Sequence, residues 1–389
     1  MVKVFIPRER RRGEARVAAT PETVRRMVKQ GLQVEVERGA GEAAYFQDAD
    51  YETAGARLAG DTVEAWGTAD VVLKVTAPDA YEDLPGHEAE AMKPGAVLIG
   101  FLAPYQNLEA VRLLAEGGVT SLALELVPRV TRAQPMDALS SQANIAGYRA
   151  VLLAAARLPK YFPLLMTAAG TIKPARVVVM GAGVAGLQAV ATARRLGAVV
   201  EVSDVRAAVK EQVESLGAKF IELPLEQSGE GTGGYAREMG EDFLLRQREI
   251  VQRHLAAADA VVTTALVPGR RAPLLVTAAM VAAMRPGSVI VDLAVEQGGN
   301  CELSEADREV VSNGVLILGP SNLAAGMPHD ASTLYSKNVL SLLVHLLDKE
   351  GRLAVNVEDE IVAGALLTHG GTVHHAPTAE QLKAQTVPA

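Results

Sequence analysis

The chain has 389 residues, 49% of them hydrophobic, with a net charge of −8 and a single cysteine, Cys301. That length predicts two or three domains, and the apolar fraction is ample for buried cores of Val, Leu, Ala and Ile, since aromatics are scarce. The acidic balance argues against a nucleic-acid surface and a polybasic membrane anchor. One cysteine excludes an intramolecular disulfide and any multi-cysteine metal centre, so no metal is expected.

The start, "MVKVFIPRERRRGEAR", is not a signal peptide, because its basic residues follow its short apolar stretch. No apolar run reaches the roughly 20 residues that span a bilayer. A soluble, cytoplasmic chain is expected. "VKVFIP" (2–7) reads as a strand and "TPETVRRMVKQG" (20–31) as a helix, with Thr20 as N-cap, Pro21 at the first helical position and Gly31 at the end. "LQVEVE" (32–37), "ADVVLKV" (69–75), "GAVLIGF" (95–101) and "VTSLALE" (119–125) read as further strands, with helical patterns between them. This alternation predicts an α/β domain with a mainly parallel sheet.

From Ser140 to Thr167 the Ala- and Leu-rich pattern reads as helix. A second βα series follows, with strands near 176–180, 198–203, 259–263, 288–292 and 314–318, and then a helix at 338–348. The stretch from about 370 lacks periodicity and reads as a loose tail or a partner-contact arm. The expected architecture is two Rossmann-like α/β domains joined by long helices. The first comprises 1–138 and 328–389, the second 139–327, and such an insertion leaves a cleft for a ligand.

"VVVMGAGVAGLQAV" (177–190) places a GxGxxG turn between a strand and a helix. Gly181 allows the tight turn, Gly183 lets backbone approach a pyrophosphate, and Gly186 lets the helix pack on the strand, with Ala182 and Val184 between them. The helix N-terminus then offers N–H groups to the phosphates. Asp204 follows the next strand, 23 residues after Gly181, with Val205 beside it. A carboxylate there accepts from the adenosine ribose hydroxyls and repels a 2′-phosphate, which favours NAD(H); Arg206 weakens that discrimination. The other reading is a strand–helix packing turn with no nucleotide. "EGTGGYAREMG" (230–240), rich in glycine around Tyr235, reads as a lid or as an ordinary flexible loop.

"GAGVAGLQAVATARRLGAVVEVSDVR", "KEQVESLGAKFIE", "TTALVPGRRAPLL" and "VIVDLAVEQGGN" together resemble the alanine dehydrogenase and pyridine nucleotide transhydrogenase superfamily, densely from Pro7 to about Asp348. "RVTRAQPMDALSSQANIAGYRA" (129–150) resembles the loop of the transhydrogenase NAD(H)-binding component. There the resemblance implies that Arg129, Gln134 and Asp137, with Ser140 close by, hold the nicotinamide end. It likewise implies nucleotide contacts at Thr264, Ala265 and Leu266, and a closing role for Tyr235. Read from residues alone, 129–142 is equally a helix-capping loop in which Asp137 or Ser140 caps the next helix.

An amino-acid dehydrogenase must bind a carboxylate and move protons. The family's alanine dehydrogenases use Arg, Lys, His and Asp. Arg16 and Lys74 match the first two and Glu296 stands in the acidic position, but Ala103 occupies the histidine's place. His87, His254, His374 and His375 read as solvated side chains. The resemblance with this departure implies direct hydride transfer between nicotinamides, in the Si-specific/Re-specific class of proton-translocating transhydrogenases. It implies NAD(H) on a homodimer of this chain, NADP(H) on a partner component, and membrane-spanning subunits that attach it peripherally to the cytoplasmic membrane. An alanine dehydrogenase-like oxidoreductase and a non-catalytic NAD-binding regulator stand as alternatives.

Overall fold

The computed structural model describes residues 1–84, 86–223, 241–266 and 271–386. It divides into two compact units, residues 1–142 with 325–389, and residues 143–324.

The first unit opens with β1 (Lys3–Ile6), α1 (Pro21–Lys29), β2 (Gln33–Val36), α2 (Asp48–Thr53), β3 (Arg57–Leu58), α3 (Thr62–Thr68), β4 (Val71–Leu73), β5 (Val97–Gly100), α4 (Leu108–Glu116) and β6 (Thr120–Ala123). The central strands are apolar on both faces because helices cover both faces of a parallel sheet. All residues of β4, β5 and β6 are accordingly buried. α1 starts where expected. Thr20 is extended, its backbone N–H donates to Thr23 Oγ1 at 2.9 Å, Pro21 stands at the first helical position, and Gly31 turns away at φ 83°.

The helix α5 (Ala138–Arg157) ends ten residues before the expected boundary at Thr167. Pro159 explains the stop: the ring excludes helical geometry at Leu158 and removes an N–H donor. The stretch to 172 instead forms a hairpin, β7 (Leu165–Thr167) with β8 (Gly170–Ile172), in the second unit. That unit continues with β9 (Arg176–Met180), α6 (Val184–Arg195), β10 (Val199–Ser203), α7 (Lys210–Ser215), β11 (Lys219–Phe220), α8 (Glu241–Ala256), β12 (Ala260–Thr263), α9 (Ala278–Ala282), β13 (Val289–Asp292), β14 (Glu309–Ser312) and β15 (Val315–Leu318). Among the described residues the sheet order is β11-β10-β9-β12-β13-β15-β14, parallel except for the β14–β15 pair. Strand order reverses between β9 and β12, the switch point at which open α/β sheets bind ligands. β14 is absent from the sequence reading although its signal is present. Asn313 (φ 51°) and Gly314 (φ 76°) form an Asn-Gly hairpin turn.

The chain returns to the first unit through α10 (Pro328–His345), α11 (Glu360–Ala365), β16 (Leu366–His369), β17 (Thr372–Val373) and α12 (Ala376–Thr386). The expected loose tail is therefore ordered. β16 pairs antiparallel with β6, Thr368 Oγ1 donates to the Val119 carbonyl at 2.8 Å, and Gly370-Gly371, both left-handed, turn the strand into β17. The first sheet reads β17-β16-β6-β5-β4-β1-β2-β3 among the described residues. Its fold class is the expected one, mixed α/β with mainly parallel sheets.

Candidate nucleotide-binding site

In the second unit the glycine turn lies between β9 and α6. Gly181 sits at φ 103°, and a Cβ there would stand 2.6 Å from Thr264 Oγ1. A Cβ on Gly186 would lie 1.8 Å from the Gly181 carbonyl oxygen. Gly147 on α5 is as constrained, since its Cβ would meet the Ala185 carbonyl oxygen at 2.0 Å. This close approach of α5 to the start of α6 has no signal in local sequence. Gly183 differs, because nothing lies within 4 Å of where its Cβ would be. No side chain caps α6, so its first-turn N–H groups remain available to an anion beside this open space. The cradle fits a pyrophosphate.

Asp204 directly follows β10 and is buried. Its Oδ2 accepts from the Ala182 amide at 2.6 Å, tying the end of β10 to the glycine turn. Its carboxylate also accepts from Arg206 Nε at 3.0 Å and Nη2 at 2.8 Å, and from the Arg206 amide at 2.8 Å. Ribose hydroxyls at this carboxylate therefore compete with Arg206. Gln247 on α8, absent from the sequence reading, lies buried with Nε2 3.5 Å from Ser203 Oγ, and its Oε1 is out of solvent without a hydrogen bond. That orphaned acceptor suits a polar ligand group. Thr264 Oγ1 donates to the Gly181 carbonyl at 3.1 Å, so Gly181, Ala182, Gly183, Val184, Gly186, Asp204, Val205 and the segment Thr264, Ala265, Leu266 lie at one end of one sheet. Tyr235 lies outside the described residues.

The 129–142 segment belongs to the first unit. Arg129 and Gln134 are exposed, while Ala133 and Met136 are buried and anchor the turn. Asn338 on α10 clamps it: Nδ2 donates to the Pro135 carbonyl at 2.8 Å, and Oδ1 accepts from Ser141 Oγ at 2.8 Å. Asp137 accepts from the Ser140 amide at 2.9 Å and from Ser140 Oγ at 2.6 Å, so the helix-capping geometry is present. Gln134 has no such duty, as its side chain makes no hydrogen bond to the described residues.

The remnants of a dehydrogenase pattern are internally satisfied. Arg16 Nη2 meets Glu14 at 2.7 Å and its Nη1 donates to Gln142 Oε1 at 2.9 Å. Lys74 is fully buried, 2.9 Å from Glu88 and 3.5 Å from Glu9. The expected solvated histidines are partly engaged: His254 lies 3.0 Å from Glu201, and His375 Nδ1 lies 2.7 Å from Thr378 Oγ1 at the start of α12.

Ala103 is left-handed at φ 41°, and its amide donates to Glu125 Oε1, as does the Leu102 amide at 2.9 Å. Burial pushes the Glu125 carboxyl up to about 7, against the lowering by these two amides. The folded state thus holds this proton more tightly than the unfolded chain. Stability from this group is full below about pH 4.5 and is lost as pH rises toward 7, by up to about 3 kcal/mol. Glu125→Gln, which keeps the acceptor and removes the charge, should gain thermal stability relative to the unsubstituted chain as pH is raised from about 5 to about 8. A melting-temperature difference that does not change with pH would contradict ionisation at Glu125.

Residues 5–146 match the alanine dehydrogenase/PNT N-terminal domain and residues 150–376 the alanine dehydrogenase/PNT C-terminal domain. The chain belongs to the alanine dehydrogenase/PNT family. Within this family it is 50% identical, over 96% of its length and 98% of the relative's, to an NAD(P) transhydrogenase subunit alpha polypeptide of Rhodospirillum rubrum. A solved transhydrogenase from Sinorhizobium meliloti superposes with a TM-score of 0.85 at 48% identity, covering 95% of this chain and 99% of that one. An alanine dehydrogenase of Halomonas elongata is 31% identical over 100% of this chain and 99% of its own. Within the alanine dehydrogenase/PNT family the chain is thus far more similar to the transhydrogenase branch.

Proposed function

We propose that this chain is the NAD(H)-binding component of a proton-translocating transhydrogenase. Hydride passes directly between NADH held here and NADP⁺ held on a partner component, while membrane-spanning subunits translocate protons. The chain acts as a homodimer attached peripherally to the cytoplasmic membrane through those subunits. The observation that carries this reading is the 50% identity to a transhydrogenase alpha subunit along nearly the whole chain.

Local chemistry supports it. Transfer between two nicotinamides moves no proton between carbon and solvent, so a site with Ala at position 103 lacks nothing that the reaction needs. What it needs is two rings held at close range. When bound, the nicotinamide supplies the hydride. Gly183 and the N-terminus of α6 would hold the pyrophosphate, Asp204 the adenosine ribose, and Arg129, Gln134, Asp137 and Ser140 the nicotinamide end.

The nucleotide assignment is tested by titration. The unsubstituted chain should bind NADH in preference to NADPH. Asp204→Ala should weaken NADH by roughly 1–3 kcal/mol and narrow the preference, since it removes both a charged acceptor and the repulsion of a 2′-phosphate. Equal affinity of the unsubstituted chain for the two nucleotides would refute the role given to Asp204.

A further inference from the structure

The motif "VIVDLAVEQGGN" ends in a residue that the site as described leaves without a role. Asn300 is fully buried. Its Oδ1 accepts from the Ala265 amide at 3.0 Å, and its Nδ2 donates to the Ala265 carbonyl at 2.9 Å and the Pro273 carbonyl at 2.8 Å. One side chain thus takes both backbone polar groups of Ala265 and one more carbonyl of the same loop. Of the standard polar side chains of this length, a carboxamide alone offers one acceptor and two donors in that arrangement. Asp at this position would set an oxygen against two carbonyls.

Asn300 is itself held from below. Asp292, at the end of β13 and fully buried, accepts from Thr263 Oγ1 at 2.9 Å, the Ala294 amide at 2.9 Å, the Cys301 amide at 2.9 Å and Ser304 Oγ at 2.7 Å. The preceding Gly299 makes room for this. At φ 76°, its Cβ would lie 2.5 Å from Ser304 Oγ and 3.0 Å from Asp292 Oδ2. The result is a continuous buried tether from the ends of β12 and β13, through the 294–304 turn, to the backbone of Ala265.

The sheet order says which half of a dinucleotide this tether serves. Asp204 ends β10, on one side of the β9–β12 switch point, and marks the adenosine half. The loop after β12 lies across that switch point, over the second mononucleotide half. We infer that Asn300 is a positioning residue for the nicotinamide half of the bound dinucleotide, acting by fixing the backbone of Thr264 to Leu266 against the glycine turn. This rests on the nucleotide-binding reading above and adds to it a residue that touches no ligand.

The test compares two probes on the intact chain: NADH, which fills both halves of the site, and ADP, which fills the adenosine and pyrophosphate region. Asn300→Ala should weaken NADH about tenfold while ADP affinity stays within about twofold, measured where circular dichroism shows the variant folded. A loss of packing alone would weaken both probes in parallel. Ser304→Ala removes one bond of the tether at a partly exposed position and guards against a variant that does not fold. It should weaken NADH two- to threefold relative to ADP. Parallel loss of both probes in folded Asn300→Ala overturns the inference, as does unchanged NADH binding. If Asn300→Ala does not fold, an unchanged NADH-to-ADP ratio in Ser304→Ala does so. Failure of the unsubstituted chain to bind either probe overturns the nucleotide site itself and the inference with it, a result distinct from binding without a split.

Discussion

Gly186→Ala should lower the melting temperature by roughly 10 °C and abolish NADH binding, whereas Gly183→Ala should leave the melting temperature unchanged and still impair binding. The two glycines stand three residues apart in one motif but do different work. A methyl on Gly186 would be driven to 1.8 Å from the Gly181 carbonyl oxygen and 3.2 Å from Thr264 Oγ1. Neither neighbour is free to retreat: Gly181 belongs to the turn, its amide donating to the Ser203 carbonyl at 2.8 Å, and Thr264 follows β12. Overpacking against fixed backbone belongs with the large destabilisations, about 3–5 kcal/mol. Gly183 has an ordinary φ of −74° and empty space around its missing Cβ. Alanine folds there without strain, but its methyl occupies the approach to the helix N-terminus. A purely structural glycine turn predicts instead that Gly183→Ala changes neither quantity. Calorimetry and NADH titration on both variants decide between them.

Gln134→Ala should slow single-turnover hydride transfer to partner-bound NADP⁺ by on the order of 100-fold, with NADH affinity altered only a few-fold and thermal stability unchanged. The adenosine and pyrophosphate ends remain anchored by the second unit, so loss of one nicotinamide contact displaces the ring without releasing the cofactor. Asp137→Ala should slow transfer comparably. It should also cost about 1 kcal/mol of stability, because this carboxylate caps α5 through Ser140. Gln134 is the cleaner probe because its exposed side chain supports no described region of the fold. Normal transfer in Gln134→Ala would remove the 129–142 loop from the functional site.

Strands buried on both faces are legible in the sequence because a parallel sheet demands unbroken apolar runs such as "VVVM", and the glycine turn is legible because its spacing is local. The hairpin turns at Asn313-Gly314 and Gly370-Gly371 also carry a local signal, but it competes there with a plain strand and a tail reading. Asn300, Asn338, Gln247 and Gly147 cannot be read in this way. Each takes its meaning from backbone distant in sequence, as when Asn338 holds the Pro135 carbonyl across 203 positions. A buried amide and a solvated one look alike in a string of letters. Asp137 illustrates the reverse case: the sequence admits both a cap and a ligand contact, and the fold supplies the cap while leaving the second role to experiment.

The most direct measurement of the central claim is isotopic. The chain loaded with NADH deuterated at the transferred position of C4 is mixed with a transhydrogenase NADP(H)-binding component carrying NADP⁺, and the NADPH formed is analysed by mass spectrometry. Direct transfer predicts that deuterium appears in NADPH, that D2O contributes none when unlabelled NADH is used, and that the chain alone reduces no NAD⁺ with L-alanine. NADPH formed without the label, no transfer at all beside a functional partner, or steady alanine-dependent reduction of NAD⁺ would contradict the account.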